Sequence, residues 1–434
     1  MKKITALTLI LCMLLAACGK PETPPTEAVT VPVETAASVE ATEPSTEAPT
    51  TEPPTEPQPE IFTLTFVGDC TLGNDPSMDH MDTCFVQTIG ADYDYPFRQV
   101  VSYFENDDFT MANLEGVLGR EGYPANKMFR FRGPAEYTQI LTGSSVEAVN
   151  LANNHTLDFG LAGFAETKRL LDEAELPYVE VNSSRLVTTE SGLTIGLYAA
   201  SFVIDQEDLE AEVAALREQG AEIVIFAIHW GGEGVYRAYA HNIQQAHDAI
   251  DAGVDIVYGT HPHVLQTVEA YNGGMVYYSL GNFAFGGNHF PKDMDSAILQ
   301  QQVIRDIDGS IRLGELTIIP CAISGTPVHN NFQPIPLEEG TEAYNRVLSK
   351  LDGSFAGQNL VVKYPEKPTE PPATEAPTAP PATEAPVTPP ATEAPVTPPA
   401  TEAPATPPAT EAPAAPPASS QPTFPNAGNE TELN

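Results

Sequence analysis

Positive charge is scarce in this chain. Its 434 residues hold 20 Lys and Arg against 59 Asp and Glu, a formal net charge of −39. Such a balance argues against a nucleic-acid partner, because phosphate contacts need Lys and Arg. Cysteine is scarce too, at Cys12, Cys18, Cys70, Cys84 and Cys321. The first two fall in an N-terminal leader, and the remaining three are an odd number that supports no disulfide framework. A Cys70–Cys84 bridge stays open for an oxidising compartment. The only tryptophan, Trp230, reads as packing. No Gly-rich stretch opens a helix after a strand, so Gly281, Gly286 and Gly287 are turn formers and not a nucleotide loop. The chain has no LPxTG-like sorting signal and no C-terminal apolar segment, which argues against covalent wall attachment.

What is present begins with Met1-Lys2-Lys3 and an apolar run over 4–17. Two lysines before a short apolar stretch is the plan of a secretory signal. The run falls short of the about 20 residues a spanning helix needs. It ends Leu15-Ala16-Ala17-Cys18-Gly19, which resembles a bacterial lipobox. The alternative is an ordinary signal peptide with an incidental cysteine. On the lipobox reading residues 1–18 are the leader and a lipidated Cys18 anchors the chain to the outer face of the cell membrane without spanning it.

Residues 19–60 are rich in Pro, Thr and Glu and lack aromatics. Such a segment cannot bury enough apolar surface to offset its chain entropy. As polyproline II it would reach on the order of 130 Å, a stalk that lifts the next domain off the membrane. From Pro371 the unit Pro-Pro-Ala-Thr-Glu-Ala-Pro-x-x recurs five times, to Ala415. It carries no large apolar residue to stack, so 365–434 reads as a disordered tail and not a solenoid. Stalk and tail each hold nine Glu and one Lys, which leaves 41 acidic and 16 basic residues in 61–364.

The segment 61–364 is large for one core but ordinary for an α/β domain. Apolar β-rich runs at 62–67, 109–113, 146–152, 194–199, 223–228 and 255–258 predict strands. Helical patterns at 97–104, 135–141, 161–174, 206–219 and 238–252 alternate with them, which argues for parallel pairing. Beyond His263 the pattern turns β-like, at 264–271, 276–279, 296–304 and 311–319. A mixed sheet or a two-sheet sandwich follows.

Five of the strands hand over to polar chemistry. They lead into Gly68-Asp69, Asn113-Leu114-Glu115-Gly116, Asn153-Asn154-His155, His229-Trp230-Gly231 and His261-Pro262-His263. Sites in open α/β sheets form at the carboxyl ends of strands. Of nine histidines, four stand at these junctions. Carboxylate, amide and imidazole donors suit Mn, Zn, Fe or Mg, and the lack of Cys there argues against structural zinc. In His261-Pro262-His263 the spacing of two would put both rings on one face of a strand. Glu115 could then bridge two ions.

These motifs, with Asp158-Phe159-Gly160 and Ser279-Leu280-Gly281-Asn282-Phe283, resemble the CapA family of poly-γ-glutamate capsule synthesis proteins. That family is similar to calcineurin-like metallophosphoesterases. The resemblance covers 61–325 and implies a four-layer α/β/β/α sandwich with a site for two divalent ions. It implies Asp69, Glu115 and His263 on the first ion, and Glu115, Asn154, His229 and His261 on the second. It also implies His155 as general acid. Thr71 stands where the phosphoesterases carry a further histidine, which weakens the first ion's site.

Other residues are read individually. Asp158 could orient His155 from three residues away, or cap the helix that follows. Arg130 and Arg132 alternate on a short extended piece, and Arg132 could clamp a carboxylate or phosphate. Asn282 could line the same pocket, and Glu233 follows the His229 strand closely enough to reach the site. His80, His241, His247, His289 and His329 lack partner spacing. Two functions fit. One is an accessory factor of poly-γ-glutamate synthesis or export, holding an anionic surface polymer or precursor beside capsule ligase or export proteins. The other is a metal-dependent hydrolase of phosphoester or amide-type bonds in an envelope polymer.

Overall fold

The computed structural model describes residues 57–360. The expected leader with Cys18, the stalk up to residue 56 and the repeat tail lie outside the described residues.

The first strand, β1 (Glu60–Thr71), is followed by two short helices, α1 (Phe85–Ile89) and α2 (Val101–Phe104), and by β2 (Phe109–Leu114). A ribbon of β3 (Val117–Leu118) and β4 (Arg132–Gly133) leads through α3 (Thr138–Thr142) to β5 (Ala148–Asn150), α4 (Gly160–Glu173) and β6 (Tyr178–Val179). Next come β7 (Ser183–Thr188), β8 (Thr194–Ser201), α5 (Gln206–Glu218), β9 (Ile223–His229) and α6 (Ala240–Asp251). After these stand β10 (Ile256–Thr260), β11 (Val268–Tyr271) and β12 (Gly274–Tyr277). The described chain closes with β13 (Asn282–Phe285), β14 (Asp295–Arg305), β15 (Ile311–Ala322), β16 (Ile335–Pro336) and α7 (Glu342–Leu351).

Two large sheets result. One runs β16-β15-β14-β1-β2-β5-β6, with β13 also paired to β1; the other runs β11-β12-β10-β9-β8-β7. Each has a parallel centre: β1 pairs β2 and β13, and β9 pairs β8 and β10. Antiparallel strands lie outside, β14 and β15 on the first sheet and β7 and β11 on the second.

Strand periodicity sets the layers. In β9, Ile223, Ile225 and Ala227 enter a core shared with Leu64, Phe66 and Met111 of the first sheet. Val224, Phe226 and Ile228 point the other way, onto Leu209, Val213, Ala246 and Ile250 of α5 and α6. Side chains alternate faces along a strand, so a strand buried on both sides must read as an unbroken apolar run. Behind the first sheet, Phe104, Leu141, Phe164 and Leu171 pack on Val67, Ala112 and Val149. The order is helices, sheet, sheet, helices. The α7 helix closes the rim: Lys350, 3% exposed, reaches Asp293 at 2.5 Å and Asp295 at 2.7 Å at the start of β14.

Several expectations need correction. The helix expected over 97–104 shrinks to its last turn, α2, where the β-branched pair Val100-Val101 costs side-chain freedom. The one over 135–141 is a 3-10 turn, Ala135–Tyr137, before α3. The strand expected from 264 begins at Val268. Cys70 and Cys84 are buried free thiols, not a bridge. Burial pushes the Cys70 thiol up to about 12, which keeps it protonated and inert.

Candidate metal centre

The carboxyl ends of the parallel strands of both sheets carry the polar junctions. Asp69 lies near the end of β1, where its N–H donates to Gly281 O at 2.8 Å. Its Oδ1 accepts from Asn113 Nδ2 at 2.8 Å, and Asn113 Oδ1 accepts in turn from Asn150 and Asn153. This amide ladder crosses β1, β2 and β5 and fixes the Asp69 carboxylate. Asn153 is therefore structural, and its neighbour Asn154 is the amide that faces the histidines.

Glu115 follows β2 and is fully buried. Neither of its carboxylate oxygens has a hydrogen-bond partner. Three imidazoles surround Oε1: His229 Nε2 at 3.6 Å, His263 Nε2 at 3.8 Å and His155 Nε2 at 3.9 Å. Those gaps are too long for hydrogen bonds. The His229 and His263 gaps suit donors that share an ion, each about 2.0–2.2 Å from it. Asn154 Oδ1 stands 3.0 Å from His229 Nε2, and His229 Nδ1 meets Thr260 Oγ1 at 2.9 Å. That bond, on the side of the ring away from the site, fixes the imidazole and turns Nε2 toward the site.

His261 and His263 do not lie on a strand. β10 stops at Thr260, and both residues have left-handed backbone, φ 100° and 55°. Their rings come within 5.9 Å of each other through that turn and not through strand alternation. His263 Nδ1 lies 3.1 Å from Asp69 Oδ2 and 2.9 Å from Asn282 Oδ1. Asn282 therefore orients His263.

Two donor sets share Glu115: Asp69, Glu115 and His263 form one, and Glu115, His229 and His261 the other. Glu233, His261 and His263 make a third. The charges fit an ion. Burial, then the Asp69 carboxylate, pushes the Glu115 carboxyl well above its usual range. Burial, then neighbouring imidazoles, pushes His229 and His261 well down. Burial acts the same way on His263, but Glu115 and Asp69 outweigh it and carry that ring up to about 10. The orphaned oxygens of Glu115, with the orphaned Nδ1 of His261, mark where a cation fits. The donor set is oxygen and nitrogen only, which suits a divalent transition ion or Mg. Thr71, at the departing position, is buried with an unpartnered hydroxyl.

His155 stands in a different relation. Its Nδ1 meets Asp158 Oδ2 at 2.8 Å, and that oxygen also accepts from Phe131 N at 2.5 Å. Lys127, half-buried, pairs with Asp158 Oδ1 and donates to Asn154 O at 2.9 Å. The cap position of α4 is Phe159, with no side-chain cap, so Asp158 orients His155 and does not cap the helix. Arg132 stands elsewhere. Its guanidinium donates to Arg120 O and Glu121 O and lies 3.5 Å over the Phe159 ring, where it fastens a loop to α4. Arg130 pairs with Asp75. His289 and His329 stack on each other, and His247 pairs with Glu269. Sequence reasoning missed Lys127, which no motif marks.

The family profile described as "Bacterial capsule synthesis protein PGA_cap" matches residues 63–202 and 181–287. The chain belongs to this family. Among PGA_cap relatives, the capsule biosynthesis protein CapA of Bacillus anthracis is 30% identical over 300 residues, 62% of this chain and 69% of the relative. The PGA biosynthesis protein CapA of Bacillus subtilis (strain 168) is 28% identical over 323 residues, 68% of this chain and 80% of the relative. Among solved structures, the NAD nucleotidase of Haemophilus influenzae aligns with a TM-score of 0.34 at 10% identity, over 68% of this PGA_cap chain and 63% of its own.

Proposed function

We propose that this chain is a lipid-anchored surface protein that acts in the synthesis or export of a poly-γ-glutamate capsule through a centre of two divalent ions. The observation that carries the reading is Glu115, a buried carboxylate without a partner, shared by two sets of donors. Asp69, Glu115 and His263 would hold the first ion; Glu115, Asn154, His229 and His261 the second. Bound there, the ions would supply local positive charge and polarise a water or an anionic group. Charge of that kind is what the domain lacks: with 41 acidic and 16 basic residues it repels a polyanion unless ions intervene.

The test is a calorimetric titration of the full chain, loaded with Mn²⁺, with γ-linked glutamate oligomers. Binding is expected with metal and is expected to vanish with chelator and in His261→Ala. Equal binding with and without metal would overturn the metal-dependent reading. Anchoring is tested separately: Cys18→Ser should move the protein from the membrane fraction to the soluble one, and an unchanged distribution would remove the lipid anchor.

A second reading, a metal-dependent hydrolase of an envelope polymer or precursor, is favoured by the His155–Asp158 pair. A holder of anions needs only the ion ligands. A side chain with Nδ1 fixed by a buried carboxylate and Nε2 turned to the site is built to give a proton to a leaving group.

A further inference from the structure

Phe202 is an aromatic ring that lies against the donor cluster and stays open to solvent. Phe131 lies 4.4 Å from His155 and Phe285 lies 5.2 Å from His263, ring centre to ring centre, and both are buried. Phe202 stands edge-on to His261 at 4.9 Å and to His229 at 5.9 Å, yet it is 45% exposed. It belongs to none of the three apolar cores.

Its backbone is strained. Val203 N donates to Ser201 O at 2.7 Å, which closes a three-residue turn with Phe202 at its centre and φ at 58°. A γ-turn of positive φ is rare, and a bulky residue there is an outlier. Phe202 N also donates to His229 O at 2.9 Å, so the turn is tied to the end of β9 beside a donor residue. Strain of this kind persists only where the surroundings enforce it, and it gathers at ligand clamps. Single exposed phenylalanines are ordinary on protein surfaces. One held in a strained turn against two buried imidazoles is not explained by chance exposure.

We infer that Phe202 is a substrate platform, which takes the methylene segment of an anionic chain whose carboxylates meet the ion centre. The inference rests on the polymer reading above and deepens it. A γ-linked glutamyl unit carries its carboxylate on the α carbon and, next along the main chain, two methylenes and an amide. Anion and apolar segment therefore alternate at short range. The site offers the same pair: donors for cations, and beside them one exposed apolar ring. Val203, 62% exposed, extends the apolar surface along the loop.

The experiment compares the full Mn²⁺-loaded chain with Phe202→Ala and Phe202→Leu. Each is titrated calorimetrically with a γ-linked glutamate oligomer and, separately, with inorganic phosphate. Metal content is measured alongside. Phe202→Ala should bind the oligomer about tenfold more weakly, as expected for one lost ring contact, and should bind phosphate and metal as the wild type does. Phe202→Leu, which keeps apolar surface, should recover most of the loss. Unchanged oligomer binding in Phe202→Ala overturns the inference and leaves the polymer reading standing. Equal weakening toward oligomer and phosphate, or loss of metal, also overturns it, because the ring would then be a structural cap on His229 and His261. A wild type that binds phosphate but no oligomer removes the polymer reading, and this inference with it.

Discussion

Glu115→Gln will be more stable than the wild type in chelator and less stable than it in excess metal. The argument is electrostatic. Glu115 is fully buried with two unpartnered oxygens, and the Asp69 carboxylate stands beside it. A buried carboxyl without compensation is costly whether it ionises or takes up a proton. A neutral amide of nearly the same shape removes the repulsion, and the metal-free protein should gain about 1–2 kcal/mol. Metal reverses the order. Ions at about a thousand times their dissociation constant would stabilise the wild type by about 4 kcal/mol. For a domain of about 300 residues that is a rise of roughly 6 °C in Tm. The variant lacks the ligand common to both donor sets and should shift little. Thermal unfolding of both proteins, with Mn²⁺ and with chelator, reads all four values. Equal metal shifts in the two proteins would place the bound ions elsewhere, among the many other acidic residues, and would sink the centre.

Sequence and structure agree where one physical rule governs. Strands β8, β9 and β10 were legible because both faces are buried, so every position is apolar until the strand ends, as Ile223–His229 shows. The break in that run is the site, which is why Asp69, Glu115, His229 and the His261 pair stood out. Tertiary choices were not legible. His261 and His263 share a site through a left-handed turn, and no side-chain pattern encodes φ. Asp158 had two locally equal options, and contacts from Phe131 and Lys127, about thirty residues away in sequence, decide between them. Arg132 alternates with Arg130, but alternation does not say which face meets the ions; Phe159 and two loop carbonyls take the guanidinium instead. Edge strand β7, with its mixed burial, gave no apolar run to read. Phe202 follows strand β8, and no pattern in the sequence marks the turn that holds it.

The His155–Asp158 pair separates the two functional readings, and its removal should have the largest kinetic effect. If the chain hydrolyses a phosphoester or amide-type bond, His155→Ala will lower turnover of a generic aryl phosphate by about 10²- to 10⁴-fold, the usual contribution of a positioned acid. Metal content should stay unchanged, because His155 is a member of none of the three donor sets. Asp158→Asn should act through His155. An amide can still accept from Phe131 N, but it no longer offers Lys127 a charge or His155 Nδ1 an ionised acceptor. The ring then loses its fixed tautomer, and Nε2 loses its orientation toward the site. A fall in kcat with KM nearly constant is the expected form, since the proton is needed only as the bond breaks. A structural defect would lower metal content and Tm as well. Turnover that survives His155→Ala intact would mean that the pair only braces the loop at Phe131. A wild type with bound metal and no turnover on any phosphoester or amide would leave the ions as holders of the polymer, and the accessory role would stand alone.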